Sequence, residues 1–226
     1  MNSGERALLL VGSPRGPKSN SESLGAYLLD QLRERGLETE KLRIYALLKS
    51  DEGGSKLLAA VDRADIIVLA APLYVDSAPS GVIRAMELIL EARGGQEAPK
   101  KPWFVAIVNC GFPEARQNDT ALRIYRRFAA ECGLEWAGGL ALGGGEVIGR
   151  RPLHRAGRRL RHVRRSLDVT ADALAEGRPV PDEAVALMAK PVIPKWLFLS
   201  VAGMFWKVQA RREGAAHKLH DRPYDR

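Results

Sequence analysis

Uninterrupted apolar runs five to seven residues long, spaced so that one helical pattern fits between each pair, constrain this chain more than any other feature. Residues 7–11, and the run that follows Asp65 through Ala71, are the clearest of these. A strand with one wet face alternates polar and apolar residues. A strand apolar on both faces must be covered on both, as in a parallel sheet held between helix layers. Between the runs, Leu24, Tyr27, Leu28 and Leu32 share one helical face, and Gly36 stands where a helix terminates. Residues 37–45 read as a more polar edge strand, followed by a short helix over 55–63. Pro79 suits the first turn of a helix bearing Val82, Ile83, Met86, Ile89 and Leu90, which stops at Gly94-Gly95. Residues 103–108 give a fourth strand. Asp119 is placed to cap a helix carrying Leu122, Tyr125, Phe128 and Ala129, and residues 134–142 give a fifth strand. Leu153, Leu160, Val163, Leu167 and Leu174 mark a last helix ending near Gly177. The alternation predicts an α/β fold with a five-stranded parallel sheet and right-handed crossovers. It occupies residues 1–177. Residues 178–226 form an extension punctuated by Pro179, Pro181, Pro191 and Pro194, with one amphipathic, Trp-rich helix.

The loop after the first strand carries the strongest chemical signal. Gly12-Ser13-Pro14-Arg15-Gly16-Pro17-Lys18-Ser19-Asn20-Ser21 leads directly into the first helix. A helix N-terminus leaves backbone N–H groups unpaired and bears partial positive charge, so it suits a phosphate. Ser13, Ser19, Ser21 and Asn20 add neutral donors, Arg15 adds a rigid cationic fork, and Lys18 is either a further phosphate contact or a solvated charge. Ser19 and Glu22 also have capping-box spacing, but capping alone leaves most of the donors unexplained. The loop falls one residue short of a nucleoside-triphosphate loop: Pro17 stands at the second glycine of that pattern, where proline removes an N–H and fixes φ. The third strand ends at Pro72 without an aspartate for magnesium.

The Gly-Ser-Pro-Arg and Ser-Asn-Ser segments of this loop resemble the phosphate loop of the NADPH-dependent FMN reductase family. Ala71-Pro72-Leu73-Tyr74-Val75-Asp76-Ser77-Ala78-Pro79 resembles that family's Pro-x-Tyr loop. The likeness covers roughly residues 6–175 and implies a flavodoxin-like three-layer sandwich with strand order 2-1-3-4-5. It also implies FMN as cofactor and NAD(P)H as hydride donor. Ser13, Arg15, Ser19, Asn20 and Ser21 are then expected to hold the FMN phosphate, and Pro72, Leu73, Tyr74 and Val75 to line the isoalloxazine. Backbone N–H groups around Val75 and Asp76 are expected near flavin N5 or O4. Asn109, Cys110 and Gly111, with Phe112, match more loosely and are expected near the pyrimidine edge. Strands one and three flank the switch point of this strand order, where a ligand should lie. The implied reaction moves a hydride from the nicotinamide to flavin N5 and then electrons to a small acceptor such as a quinone or free flavin. It demands no catalytic acid or base of the protein. The alternative is a flavodoxin-like electron carrier or an FMN-bound regulatory protein without nicotinamide turnover.

The remaining features narrow the setting. A net charge of +8 attracts phosphorylated cofactors, nucleic acid or an anionic membrane surface, and the basic surface disfavours the electron-carrier alternative. Cys110 and Cys132 cannot build a disulfide framework and are expected to be reduced, buried thiols. None of the four histidines falls in a metal-binding or triad pattern, and no metal is expected. Residues 150–165 hold eight arginines, but they share a helix with an apolar stripe and lack interleaved aromatics. A solvated face is therefore expected, then attraction of the NADPH 2′-phosphate, with nucleic acid ranked last. In the tail, Leu197, Val201, Met204, Phe205 and Val208 form a helical stripe with Trp196, Leu199 and Trp206 beside it. Dimerisation or packing is the expected cover, with a membrane surface against residues 195–212 as the alternative. The polar first residues carry no secretory signal pattern, so a cytoplasmic location, with optional peripheral membrane contact, is the expectation.

Overall fold

The computed structural model describes residues 4–95 and 100–221 of the chain. Five parallel strands form one sheet in the order β2-β1-β3-β4-β5: β1 (Arg6–Val11), β2 (Glu38–Arg43), β3 (Ile66–Pro72), β4 (Trp103–Asn109) and β5 (Glu135–Leu142). This is the flavodoxin-like order implied by the two sequence loops. The helices are α1 (Asn20–Glu34), α2 (Ile44–Leu47), α3 (Gly53–Arg63), α4 (Ser80–Arg93), α5 (Asp119–Glu131), α6 (Arg161–Ala175), α7 (Asp182–Met188) and α8 (Lys195–Arg212).

The unbroken apolar runs fall in the three central strands, and the pleat sends alternate residues into two separate cores. Leu9, Val11, Val68, Ala70, Val105 and Ile107 face a core completed by α1, α6 and α7. Leu8, Leu10, Ile67, Leu69, Phe104 and Ala106 face a second core completed by α3, α4 and α5. A fully buried Leu, Ile or Val contributes about 1.5–3 kcal/mol, so these two layers dominate the stability of the domain. The edge strand β2 stays half-exposed, as its polar composition requires, and Ile44 turns the chain inward immediately after it.

Three local expectations shift. Asp119 is the first residue of α5 rather than its cap. Asn118 precedes it and spends its carboxamide N–H on the carbonyls of Ala115 (2.9 Å) and Leu142 (3.3 Å). Pro79 caps α4 from the non-helical side, where its missing N–H costs nothing. The stretch leading into α6 breaks into 3₁₀ turns at Leu153–Arg155 and Arg158–Leu160. Arg164 pins it by donating to the carbonyls of Leu153 and Ala156.

The chain divides into two compact units, Met1–Val192 and Ile193–Arg226. The sequence boundary at 177/178 falls inside the first unit because Ala184 and Met188 of α7 join the same core as α6. In the second unit, α8 exposes Trp196, Leu199, Met204, Phe205, Trp206 and Val208. At 100° per residue these positions are spread around the helix rather than gathered in one stripe.

Gly25 sets how closely α1 approaches the sheet, since a Cβ there would lie 2.5 Å from Leu9 Cδ1 and 2.9 Å from Ala70 Cβ. Ala gains up to about 1 kcal/mol of helix propensity over Gly, while overpacking a closed core costs about 1–3 kcal/mol. Gly25→Ala is therefore expected to lower stability in a urea titration. An unchanged midpoint would mean that α1 can lift from the sheet freely.

Candidate active site

The carboxyl ends of β1, β3 and β4 open on one cavity of about 200 Å³. It is lined by Ser13, Arg15, Ser19, Asn20 and Ser21 from the first loop, Pro72, Leu73 and Tyr74 from the second, and Asn109, Cys110 and Gly111 from the third. Every predicted site residue is in this lining except Val75 and Asp76. Those two sit beside it, at the tip of a turn closed by the paired backbone bonds of Tyr74 and Ser77, each 3.0 Å. One residue outside the predicted cofactor set joins the lining: Glu146, from the Gly143-Gly144-Gly145-Glu146 segment whose permissive backbone suits either a turn or the entry of nicotinamide or acceptor.

The first loop reaches the cavity because Gly12 has no side chain. Its N–H continues the sheet to Ala70 O at 2.8 Å, and a Cβ would fall 2.4 Å from Val82 Cγ2. Ser19 caps α1, its Oγ accepting from the Glu22 N–H at 3.1 Å. The capping box is only half made. The Glu22 carboxylate turns to β2, where Arg43 Nη2 (2.6 Å) and Lys41 Nζ (2.9 Å) bind it. Burial alone would raise the Glu22 pKa, but hydrogen bonds from Arg43 and Lys41 outweigh it and hold the pKa below the ordinary 4.5.

Within the chain the three site serines act only as acceptors. Ser13 Oγ takes the Arg15 N–H (3.4 Å), Ser19 Oγ takes that of Glu22, and Ser21 Oγ takes Asn109 Nδ2 (2.7 Å). All three residues are buried, and among the described residues none of their hydroxyl protons has an acceptor. The backbone N–H groups of Asn20 and Ser21 in the first turn of α1 are likewise free of intrachain acceptors. Three hydroxyl donors, two backbone donors and the Arg15 guanidinium around one opening match the oxygen-rich surface of a phosphate. Asn109 acts as a brace, because Nδ2 also reaches Ala71 O at 3.3 Å and so ties the end of β4 to β3 and α1. Glu146 binds Arg15 Nη1 at 3.1 Å and Asn20 Nδ2 at 3.4 Å, from a turn bounded by left-handed Gly144 and Gly149. It is the only carboxylate in that glycine-rich turn, and this is the one sequence signal that marks it.

The second loop stores backbone strain. Val75 and Asp76 have φ of 47° and 57°, the left-handed pair required at the centre of a type I′ turn. Asn and Gly take this conformation readily, whereas a β-branched valine pays about 1–3 kcal/mol. Val75 is also 99% exposed, so burial does not offset that strain. Tyr74 stands at the cavity mouth, 44% exposed.

Cys110 Sγ is buried among the carbonyls of Phe112 and Leu142 and receives Asn118 Nδ2 at 3.5 Å. Burial raises its pKa above the ordinary 9.0, and the thiol stays protonated at neutral pH. Cys132, at the far end of α5, is pushed up to about 11 by burial. No cluster of metal-ligating side chains occurs among the described residues.

A flavodoxin-like sheet whose phosphate cradle and aromatic-bearing loop share one edge defines a flavoprotein of the mononucleotide-binding class. Residues 6–130 match the model of the NADPH-dependent FMN reductase family, and the chain belongs to that family. It is an NAD(P)H-dependent FMN oxidoreductase, with FMN as cofactor and NAD(P)H as co-substrate. No curated protein matches it significantly. Among solved structures, an NADH:FMN oxidoreductase in its apo form superposes with a TM-score of 0.57 at 17% identity, covering 84% of this chain and 96% of that one. An FMN-dependent NADH-azoreductase from Bacillus anthracis, in complex with FMN, gives 0.56 at 14% identity, covering 76% and 99%. A Streptococcus pneumonia flavodoxin gives 0.53 at 16%, also covering 76% and 99%. At these identities the likeness concerns the fold.

Because burial holds both thiols protonated, neither Cys110 nor Cys132 is expected to react promptly with a disulfide reagent in native protein at pH 8. Both should react after denaturation. Rapid native labelling of Cys110 would show a thiolate at the site and overturn this assignment.

Proposed function

We propose that the cavity at the ends of β1, β3 and β4 holds FMN and that the enzyme reduces a small acceptor of the quinone or free-flavin class. The observation carrying this reading is the set of uncommitted donors on Ser13, Ser19 and Ser21 beside Arg15. Asn20 completes the phosphate cradle. Pro72, Leu73 and Tyr74 supply an apolar and aromatic wall for the isoalloxazine, and Asn109, Cys110 and Gly111 border its polar edge. The backbone N–H groups of Val75 and Asp76 have no intrachain acceptor, which supports a role in hydrogen-bonding the flavin's polar edge. Bound FMN supplies the redox chemistry, taking a hydride from NAD(P)H and passing two electrons on.

The chain's own part is positional. Asn109 fixes the relation of the cradle to the wall, and the strained Val75-Asp76 turn presents N–H groups that need no reorganisation on binding. Exposed Tyr74 leaves the mouth accessible, which suits an acceptor that follows the nicotinamide into the same place. Cys110, held as a thiol, shapes the floor without taking electrons itself.

For the second unit we favour a homodimer contact through α8. Leu199, Met204, Phe205 and Trp206 on several sides of the helix support it, because so much aromatic surface is unstable in water alone. No helix among the described residues is long and apolar enough to cross a membrane. Phe205→Asp with Trp206→Lys is expected to convert a dimer to a monomer in sedimentation analysis. A monomeric parent that pellets with anionic vesicles would assign the helix to a lipid surface instead.

FMN titration followed by anaerobic NADPH tests the main reading. Oxidised-flavin absorbance should bleach, and an added quinone should restore it. Arg15→Ala is expected to weaken FMN binding by about fivefold, the worth of one half-exposed charge pair. FMN that binds but is reduced by neither NADH nor NADPH would leave an electron carrier. FMN that does not bind would remove the reading altogether.

A further inference from the structure

A second cavity, about 320 Å³, lies between α1 and the segment that follows the Glu146 turn. Its floor is apolar, made by Ala26, Tyr27, Pro152 and Leu153, and its rim carries Lys18, Arg150 and His154. The acidic and hydroxyl groups of the lining are already engaged. Glu22 is bound by Lys41 and Arg43, Asp30 by Arg33, and the Tyr27 hydroxyl donates to Asp168 Oδ1 at 2.9 Å. Ser23 Oγ donates to Ser19 O at 3.1 Å. By contrast, the side chains of Lys18, Arg150 and His154 have no hydrogen-bond or ion-pair partner among the described residues. Lys18 and Arg150 both adopt left-handed backbone, with φ of 67° and 57°. The cavity adjoins the cradle through one residue: Asn20 lines the first cavity, while its Oδ1 accepts the Arg150 N–H at 2.9 Å.

We propose that this cleft is an adenosine-phosphate subsite that takes the 2′-phosphoadenosine end of NADPH. The apolar floor fits the base and ribose, and the two uncompensated cations, Lys18 and Arg150, with the His154 imidazole beside them, fit a phosphate dianion. FMN has one phosphate and the Ser13–Ser21 cradle already matches it, so a second cationic site points to a second phosphorylated molecule. A dinucleotide bound here would have its far end next to the flavin cavity. The inference rests on the reductase reading and adds to it a preference for NADPH over NADH, set by Lys18 and Arg150. It also gives the first residues of the basic 150–165 segment a ligand.

The experiment is calorimetric titration of the full-length, FMN-loaded protein with 2′,5′-ADP, 5′-AMP and inorganic phosphate. The dinucleotide end should be recognised as a whole. 2′,5′-ADP is expected to bind at least about tenfold more tightly than 5′-AMP, the effect of one charge-assisted contact. Lys18→Asn with Arg150→Asn removes both charges and keeps a residue that tolerates left-handed backbone. That variant should lose about tenfold in 2′,5′-ADP affinity, keep its FMN affinity, and raise KM for NADPH but not for NADH. His154→Gln is a second variant, outside the strained positions, expected to shift the same ratio in the same direction. Binding of 2′,5′-ADP no tighter than inorganic phosphate would overturn the subsite, as would affinity unchanged in both variants. Retained bleaching by NADH and NADPH in that case would show that the reductase reading survives. Flavin reduced by neither nucleotide, with 2′,5′-ADP still bound through Lys18 and Arg150, would instead show the reductase reading failing alone.

Discussion

The close seating of α1 on β1 and β3 is the constraint on which the site depends. Gly25 lets the helix touch Leu9 and Ala70 directly, and Gly12 lets the preceding loop lie against Ala71 and Val82. These two approaches place the first turn of α1 at the strand ends, where its unpaired N–H groups and serines converge. The brace from Asn109 to Ser21 and to Ala71 then locks two strand ends and the first turn of α1 into one frame. Specificity for an anion here comes from backbone geometry first and from the arginine second. Arg15 is half-exposed, and an exposed charge pair is worth about 1 kcal/mol or less. The buried serines face no such screening.

The same sheet accounts for much of what the sequence reveals. Buried parallel strands announce themselves because neither face can be polar, and residues 7–11 and 66–71 do so plainly. The donor-rich loop is legible because so many hydroxyl residues and an arginine between a strand and a helix exceed what packing and capping require. Glu146 escapes that logic. Its position is set by left-handed Gly144 and Gly149 and by a turn that crosses to a loop 131 residues earlier in the chain. Periodicity carries no information about such a contact. Glu22 misleads in a related way: its spacing from Ser19 is that of a capping box, yet two cations on neighbouring β2 outcompete the backbone N–H for its carboxylate. The turn at Val75-Asp76 is hidden for a different reason, since valine is the residue least expected at a left-handed position.

The two units of the chain obey different rules. In the first, α7 lies in a proline-punctuated stretch of the sequence, but Ala184 and Met188 are buried in the same core as Leu167 and Leu174, and tertiary packing decides its place. In the second, α8 is apolar around most of its circumference, so no single buried face can satisfy it. A helix of that composition is stable where something surrounds it, whereas an amphipathic helix needs a partner on one side only. The expected stripe positions 197, 201, 204, 205 and 208 do fall within one arc of about 100°, but Trp196, Leu199 and Trp206 lie on other sides of the helix and widen the apolar surface beyond it.

The Arg15–Glu146 pair bears on how the cradle discriminates among anions. The carboxylate contacts Arg15 and Asn20, two of the groups a phosphate would use, but it leaves the three serine protons and the first-turn N–H groups untouched. A planar carboxylate reaches only the outer edge of the cradle, whereas a tetrahedral dianion can engage the hydroxyls and the helix N-terminus together. Displacing Glu146 costs little, because its ion pair with Arg15 is solvent-exposed, its bond from Asn20 is long at 3.4 Å, and the turn that bears it has left-handed glycines at both ends. A ligand must therefore offer more than charge to hold the site. A phosphate ester carrying a flat apolar group satisfies both the inner donors and the Tyr74 wall, and simple carboxylates satisfy neither.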